Sequence, residues 1–99
     1  MTDPMRRITG GVDTHKDAHV AAALDGLGQV LGTESFPATP AGYRRLLGWL
    51  QGFGELTGVG VEGTGAWGAG LTRFLTTNGT VVVEVQRPNR QHRRRQPRR

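Results

Sequence analysis

The chain has 99 residues, enough for one domain near the low end of comfortable core size. It has no cysteine, which excludes a disulfide framework and any cysteine-based metal site. The net charge of +5 is local: residues 87–99, RPNRQHRRRQPRR, hold seven Arg and no acid, while the preceding 86 residues carry six basic and eight acidic side chains.

Residues 1–7 read as a disordered lead-in. Ile8 to Asp13 is apolar and turn-bounded, a strand. His19 to Leu24 is a second strand, and Asp25-Gly26, with Gly28 just after, is a hairpin signal. Gln29 to Phe36 is a third, with Val30, Gly32, Glu34 and Phe36 expected on one face. The three suit an antiparallel meander.

The period then changes. Thr39-Pro40 reads as a helix start, Thr as N-cap and Pro at the first helical position. Tyr43, Leu46, Leu47, Leu50 and Phe53 follow as an amphipathic stripe, and Gly54 is the expected stop. Gly58 to Val61 is a short strand. Thr64 is the expected cap of a second helix, with Trp67, Leu71, Phe74 and Leu75 on its buried face and Asn78-Gly79 at its end. Val81 to Val85 reads as a strand buried on both faces. The order βββ-α-β-α-β predicts an α/β domain over residues 8–86, one mixed sheet with helices packed on it. Sixteen glycines, many inside elements, predict modest intrinsic stability.

Asp13 and Glu62 each close a strand. If the strand at 58–61 lies beside the strand at 8–13, the two carboxylates become neighbours. They must then share a proton or a cation. Hard oxygen donors of this kind suit Mg²⁺ or Mn²⁺, and paired ions of that type serve phosphodiester chemistry. The plainer reading makes Asp13 a strand-ending turn and Glu62 a solvated loop residue.

Four segments in order carry a family resemblance: GVDTHK at 11–16, FPATPAGY at 36–43, VEGTGAW at 61–67 and VQRPNR at 85–90. They resemble the N-terminal part of DEDD transposases, the insertion-sequence recombinases of the family numbered 110. The resemblance spans residues 10 to 95. It implies a ribonuclease-H-like fold related to Holliday-junction resolvases. It implies that Asp13 and Glu62 are the first two acids of an Asp-Glu-Asp-Asp set, catalytic and metal-ligating. Lys16 matches a frequently basic position and Trp67 an aromatic one. Family members bind Mg²⁺, cut and rejoin DNA, and use a structured guide RNA. The implied full-length protein is a homo-oligomer.

The departure is at the C-terminal side. The family's third and fourth acids follow the basic segment, and a second domain supplies a serine. Here no acid follows Glu84. The sheet is therefore expected to be incomplete at its C-terminal end. The 99-residue chain is expected to be inactive alone, as a truncated frame, a decayed element or an excised piece.

Two other functions compete. The Arg-rich segment suits a small module that binds nucleic acid without metal, through Arg87, Arg90, Arg93, Arg94 and Arg95, together with Lys16. Gly63-Thr64-Gly65-Ala66-Trp67-Gly68 fits the dinucleotide-binding GxGxxG, with Glu84 about twenty residues on as the ribose acid. Against the second, Glu62 would set a negative charge beside the pyrophosphate, and a meander precedes the motif. His15, His19 and His92 are too scattered for a metal site, and His15 is expected as a surface imidazole. Trp49 and Trp67 are expected in or near the core. No apolar run reaches the roughly 18–20 residues of a membrane span, and MTDPMRRITGG lacks the apolar centre of a signal peptide, so the expected location is cytoplasmic.

Overall fold

A computed structural model describes residues 6–86. The elements in order are β1 (Arg7–Thr14), β2 (Ala18–Leu24), β3 (Val30–Pro37), α1 (Pro40–Gln51), β4 (Glu55–Glu62), α2 (Ala69–Thr77) and β5 (Val82–Val85). They form one five-stranded sheet in the order β3-β2-β1-β4-β5. β1, β2 and β3 are an antiparallel meander, whereas β4 and β5 run parallel to β1. This is the expected ribonuclease-H-like mixed sheet. Residues 1–5 and 87–99 lie outside the described residues, and with them Arg87, Arg90, Arg93, Arg94, Arg95 and His92.

Strand alternation sets the layers. In β1, Ile8, Gly10, Val12 and Thr14 are buried, and in β4, Val59 and Val61. In β2, His19, Ala21 and Ala23 face the same way. Leu46, Leu47 and Leu50 of α1 and Leu71 and Leu75 of α2 close the core over them. Each fully buried leucine contributes about 1.5–3 kcal/mol of transfer free energy. Gly10 lets α1 approach: a Cβ there would lie 2.9 Å from the Leu50 side chain.

Thr39 caps α1 as expected, its Oγ1 accepting the Gly42 N–H at 3.0 Å, with Pro40 following. Asp25 organises the β2–β3 turn by accepting the N–H groups of Leu27 and Gln29, each at 2.9 Å. Gly28 supplies the left-handed residue that this turn requires (φ 85°).

Several sequence expectations fail for local reasons. The α1 helix ends at Gln51 with Gly52 as C-cap, before Gly54, and Phe53 reaches the core from the turn beyond it. In β3 a register shift opposite Ala23 and Leu24 inserts one extra residue, so parity reverses. Leu31 packs on the core and Val30 is left exposed. Helix α2 begins at Ala69 with Gly68 as its cap and no side-chain cap bond, so Thr64 does not cap it. Trp67 precedes the helix and is 56% exposed, outside the core stripe. Strand β5 is the sheet edge, with Val83 and Val85 exposed, because no further strand pairs beyond it among the described residues. No helix among them is long and apolar enough to cross a membrane.

Candidate functional site

Parallel pairing of β1 with β4 sets Val12 opposite Val61 and Asp13 opposite Glu62. Neighbouring strands lie about 4.8 Å apart, and directly paired residues of a parallel ladder share a sheet face. Val12 and Val61 point into the core, so Asp13 and Glu62 both point to the face away from the helices. Both are half-buried, and neither is extruded onto a solvated loop.

Both carboxylates line one cavity of about 520 Å³. Its wall also includes His15, Trp67 and Glu84. His15 Nε2 lies 3.2 Å from Asp13 Oδ2, in an exposed pair, so this surface imidazole is a neighbour of the acid. Glu84 stands opposite Val61 in the β4–β5 register and so belongs to the other parity from Glu62. Among the described residues no group of three or more His, Cys, Asp or Glu side chains could hold a metal ion. Lys16 is exposed in the β1–β2 turn and does not line this cavity.

The strand ends are fixed from behind. The Thr14 hydroxyl donates to the Glu62 carbonyl at 2.6 Å, tying the two ends together. Gly63 follows with φ 76°, and a Cβ there would lie 2.7 Å from Thr14 Oγ1. Its carbonyl accepts from Ala66 N at 3.2 Å and Gly68 N at 2.9 Å, so residues 63–68 close into a compact loop before α2. Two of the three glycines that match GxGxxG, Gly63 and Gly68, thus pack this loop against Thr14.

Below the turn, His19 is fully buried and stacks on Tyr43, with ring centroids 5.9 Å apart. Its Nδ1 accepts the His15 N–H at 3.4 Å, and that N–H also donates to Ala18 O at 3.0 Å. Among the described residues, His19 Nε2 is buried with no hydrogen-bond partner. Burial pushes the His19 imidazole below its ordinary value of 6.5, and nearby His15 adds to this, against a raising contribution from the Ala18 backbone. Sequence reasoning gave Thr14 no structural role and named His19 only as the start of a strand and as one of three histidines too scattered for a metal site. The signal was there: Thr14 continues the inward alternation of Val12, and His19 that of Ala21 and Ala23.

A family model described as a transposase, of the DEDD insertion-sequence-110 type, matches residues 10–99. The chain belongs to this transposase family. No curated protein matches it. In this transposase chain the resemblance carried by GVDTHK and VEGTGAW falls on β1 with its turn and on the end of β4 with the loop after it. The conspicuous short motifs therefore meet at one end of the sheet.

Proposed function

We propose that this chain supplies the first half of a divalent-metal centre for DNA strand cleavage and rejoining in a transposase. The direct pairing of Asp13 with Glu62 on adjacent parallel strands carries the reading. Their oxygen donors suit Mg²⁺ or Mn²⁺, and their shared face lets both reach one ion. A bound divalent ion supplies Lewis acidity toward a phosphodiester. The chain's own residues hold the donors: Thr14 fixes the Glu62 strand end, and His15 sits against Asp13.

Two carboxylates are half of a four-acid set. The 99-residue chain alone is therefore expected to bind metal weakly and to cleave no DNA. Lys16 and the arginines at 87, 90, 93, 94 and 95 offer phosphate contacts to DNA or to a guide RNA. The complete transposase would act as a homo-oligomer.

Amide NMR with added Mn²⁺ tests the half-site. Selective broadening around Asp13 and Glu62, abolished in Asp13→Asn and Glu62→Gln, is the expected result. Dispersed spectra with no selective broadening would overturn the metal reading. If salt-sensitive DNA binding then survived both substitutions, the chain would be a binding module acting through its basic segment.

A further inference from the structure

Six aromatic side chains, other than histidine, lie within the described residues, and five of them pack inward. Phe36, Tyr43, Trp49, Phe53 and Phe74 all take part in ring contacts. Trp67 does not: among the described residues no ring packs on it, and more than half of its surface is open. An exposed indole is unspent apolar surface, and Trp is usually well covered. This one stands on the wall of the cavity that holds Asp13 and Glu62.

Its position is held in place. The loop that carries it is closed by two hydrogen bonds to the Gly63 carbonyl. Gly68, the next residue, is buried so tightly that a Cβ would lie 2.8 Å from Gly63 O and 3.1 Å from Thr14 Cγ2. The backbone on either side of the indole is therefore anchored to the same Thr14 that ties the two strand ends.

The charge on this wall narrows the ligand. Asp13, Glu62 and Glu84 line the cavity, and among the described residues no Lys or Arg lines it. The described wall is thus acidic, and it offers a phosphate backbone no cation of its own. The indole face offers an attraction that does not depend on charge. A nucleobase has the matching flat π-surface, but inside a duplex that surface is covered by its neighbours. Stacking on an aromatic side chain requires an unpaired or displaced base.

We propose that Trp67 is a stacking platform for an unpaired nucleobase next to the phosphodiester that Asp13 and Glu62 address. The cleft then takes locally single-stranded nucleic acid in preference to intact duplex. The inference rests on the reading of these carboxylates as a nucleic-acid-processing site. Trp67 is a positioning residue in this scheme: it fixes the strand so that one phosphate lies over the carboxylates.

The test uses the full 99-residue chain with Trp49→Phe, which leaves Trp67 as the sole tryptophan. Its fluorescence is titrated in Mg²⁺ with oligo-dT, with oligo-rU and with a blunt DNA duplex of equal length. Labelled-strand anisotropy is read in parallel. Raised salt weakens the contribution of the arginines at 87–99. The expected result is quenching by a single strand and little by duplex. Trp67→Ala should weaken single-strand binding roughly tenfold and duplex binding less than twofold, with partial rescue in Trp67→Phe. Stronger quenching by oligo-dT assigns the base to a DNA strand, and by oligo-rU to an RNA. Single-strand binding with an unquenched indole, or unchanged in Trp67→Ala, overturns the stacking role and leaves the carboxylate reading standing. If neither strand nor duplex binds at any salt, the nucleic-acid reading of the whole site falls.

Discussion

His19 shows how a single residue can tie the core to the candidate site. Alternation along β2 drives it inward with Ala21 and Ala23, where it stacks on Tyr43 and meets the turn that carries His15. A buried imidazole resists protonation, so its folded-state value lies below 6.5. The unfolded chain then binds more protons than the folded chain just below pH 6.5. Its contribution to stability is complete above that pH and is lost as pH falls from there toward the lowered folded value. Thermal melts should show a midpoint that falls between pH 7 and pH 5.5. His19→Gln should be less stable at pH 7, and its slope over that interval should be flatter. Equal slopes would show that His19 does not titrate with unfolding. Other single residues were legible only in type. Asp13 and Glu62 were readable as acids at strand ends, but their pairing needed the β1–β4 register.

At the scale of elements, α1 was the most legible part of the chain. Thr39, Pro40 and the stripe Leu46, Leu47, Leu50 encode start, direction and buried face together. Thr39→Ala should cost about 1 kcal/mol, because the Gly42 N–H loses its acceptor. Leu50→Ala should cost about 2–5 kcal/mol through lost burial and the cavity left under Gly10. Urea unfolding of both variants checks the order; equal losses would mean the helix is not anchored chiefly by packing. The misread elements failed where a local pattern had two solutions. The loop 63–68 looked like a helix start because Thr64 is a good cap. Gly63 in the left-handed region and the bonds to its carbonyl instead hold a turn that delays α2 to Ala69. Val81 to Val85 looked doubly buried because it is apolar, yet sequence does not say whether another strand follows on the far side.

The whole molecule is a two-layer assembly among the described residues, with both helices on one face of the sheet. The opposite face carries Gly11, Ala22, Val20, Leu24, Gly60 and Val85 around a shallow depression of about 350 Å³. Small and apolar side chains make this a smooth hydrophobic surface beside Asp13 and Glu62. The native 99-residue chain should therefore bind the dye ANS under conditions where its amide spectrum is dispersed. A Val20→Lys, Val85→Lys pair should reduce that fluorescence with little loss of stability, since both positions are 40% exposed. Unchanged dye binding in the double variant would place the apolar surface elsewhere.

By itself the sequence determined the element types, the meander followed by parallel strands, the cap of α1 and the identity of the two strand-end acids. These depend on periods of two and 3.6 residues and on turn chemistry, which act over a few neighbouring positions. Tertiary structure alone decided the β1–β4 register that pairs Asp13 with Glu62, and the β3 bulge that exchanges Leu31 for Val30. It also decided the exposure of Trp67 beside those acids. The β1–β4 register and the exposure of Trp67 depend on contacts between segments far apart in the chain, and the bulge on how the β2–β3 hairpin packs against the core. A one-residue change in pairing or loop closure reverses which way a side chain points, and no local pattern records that choice.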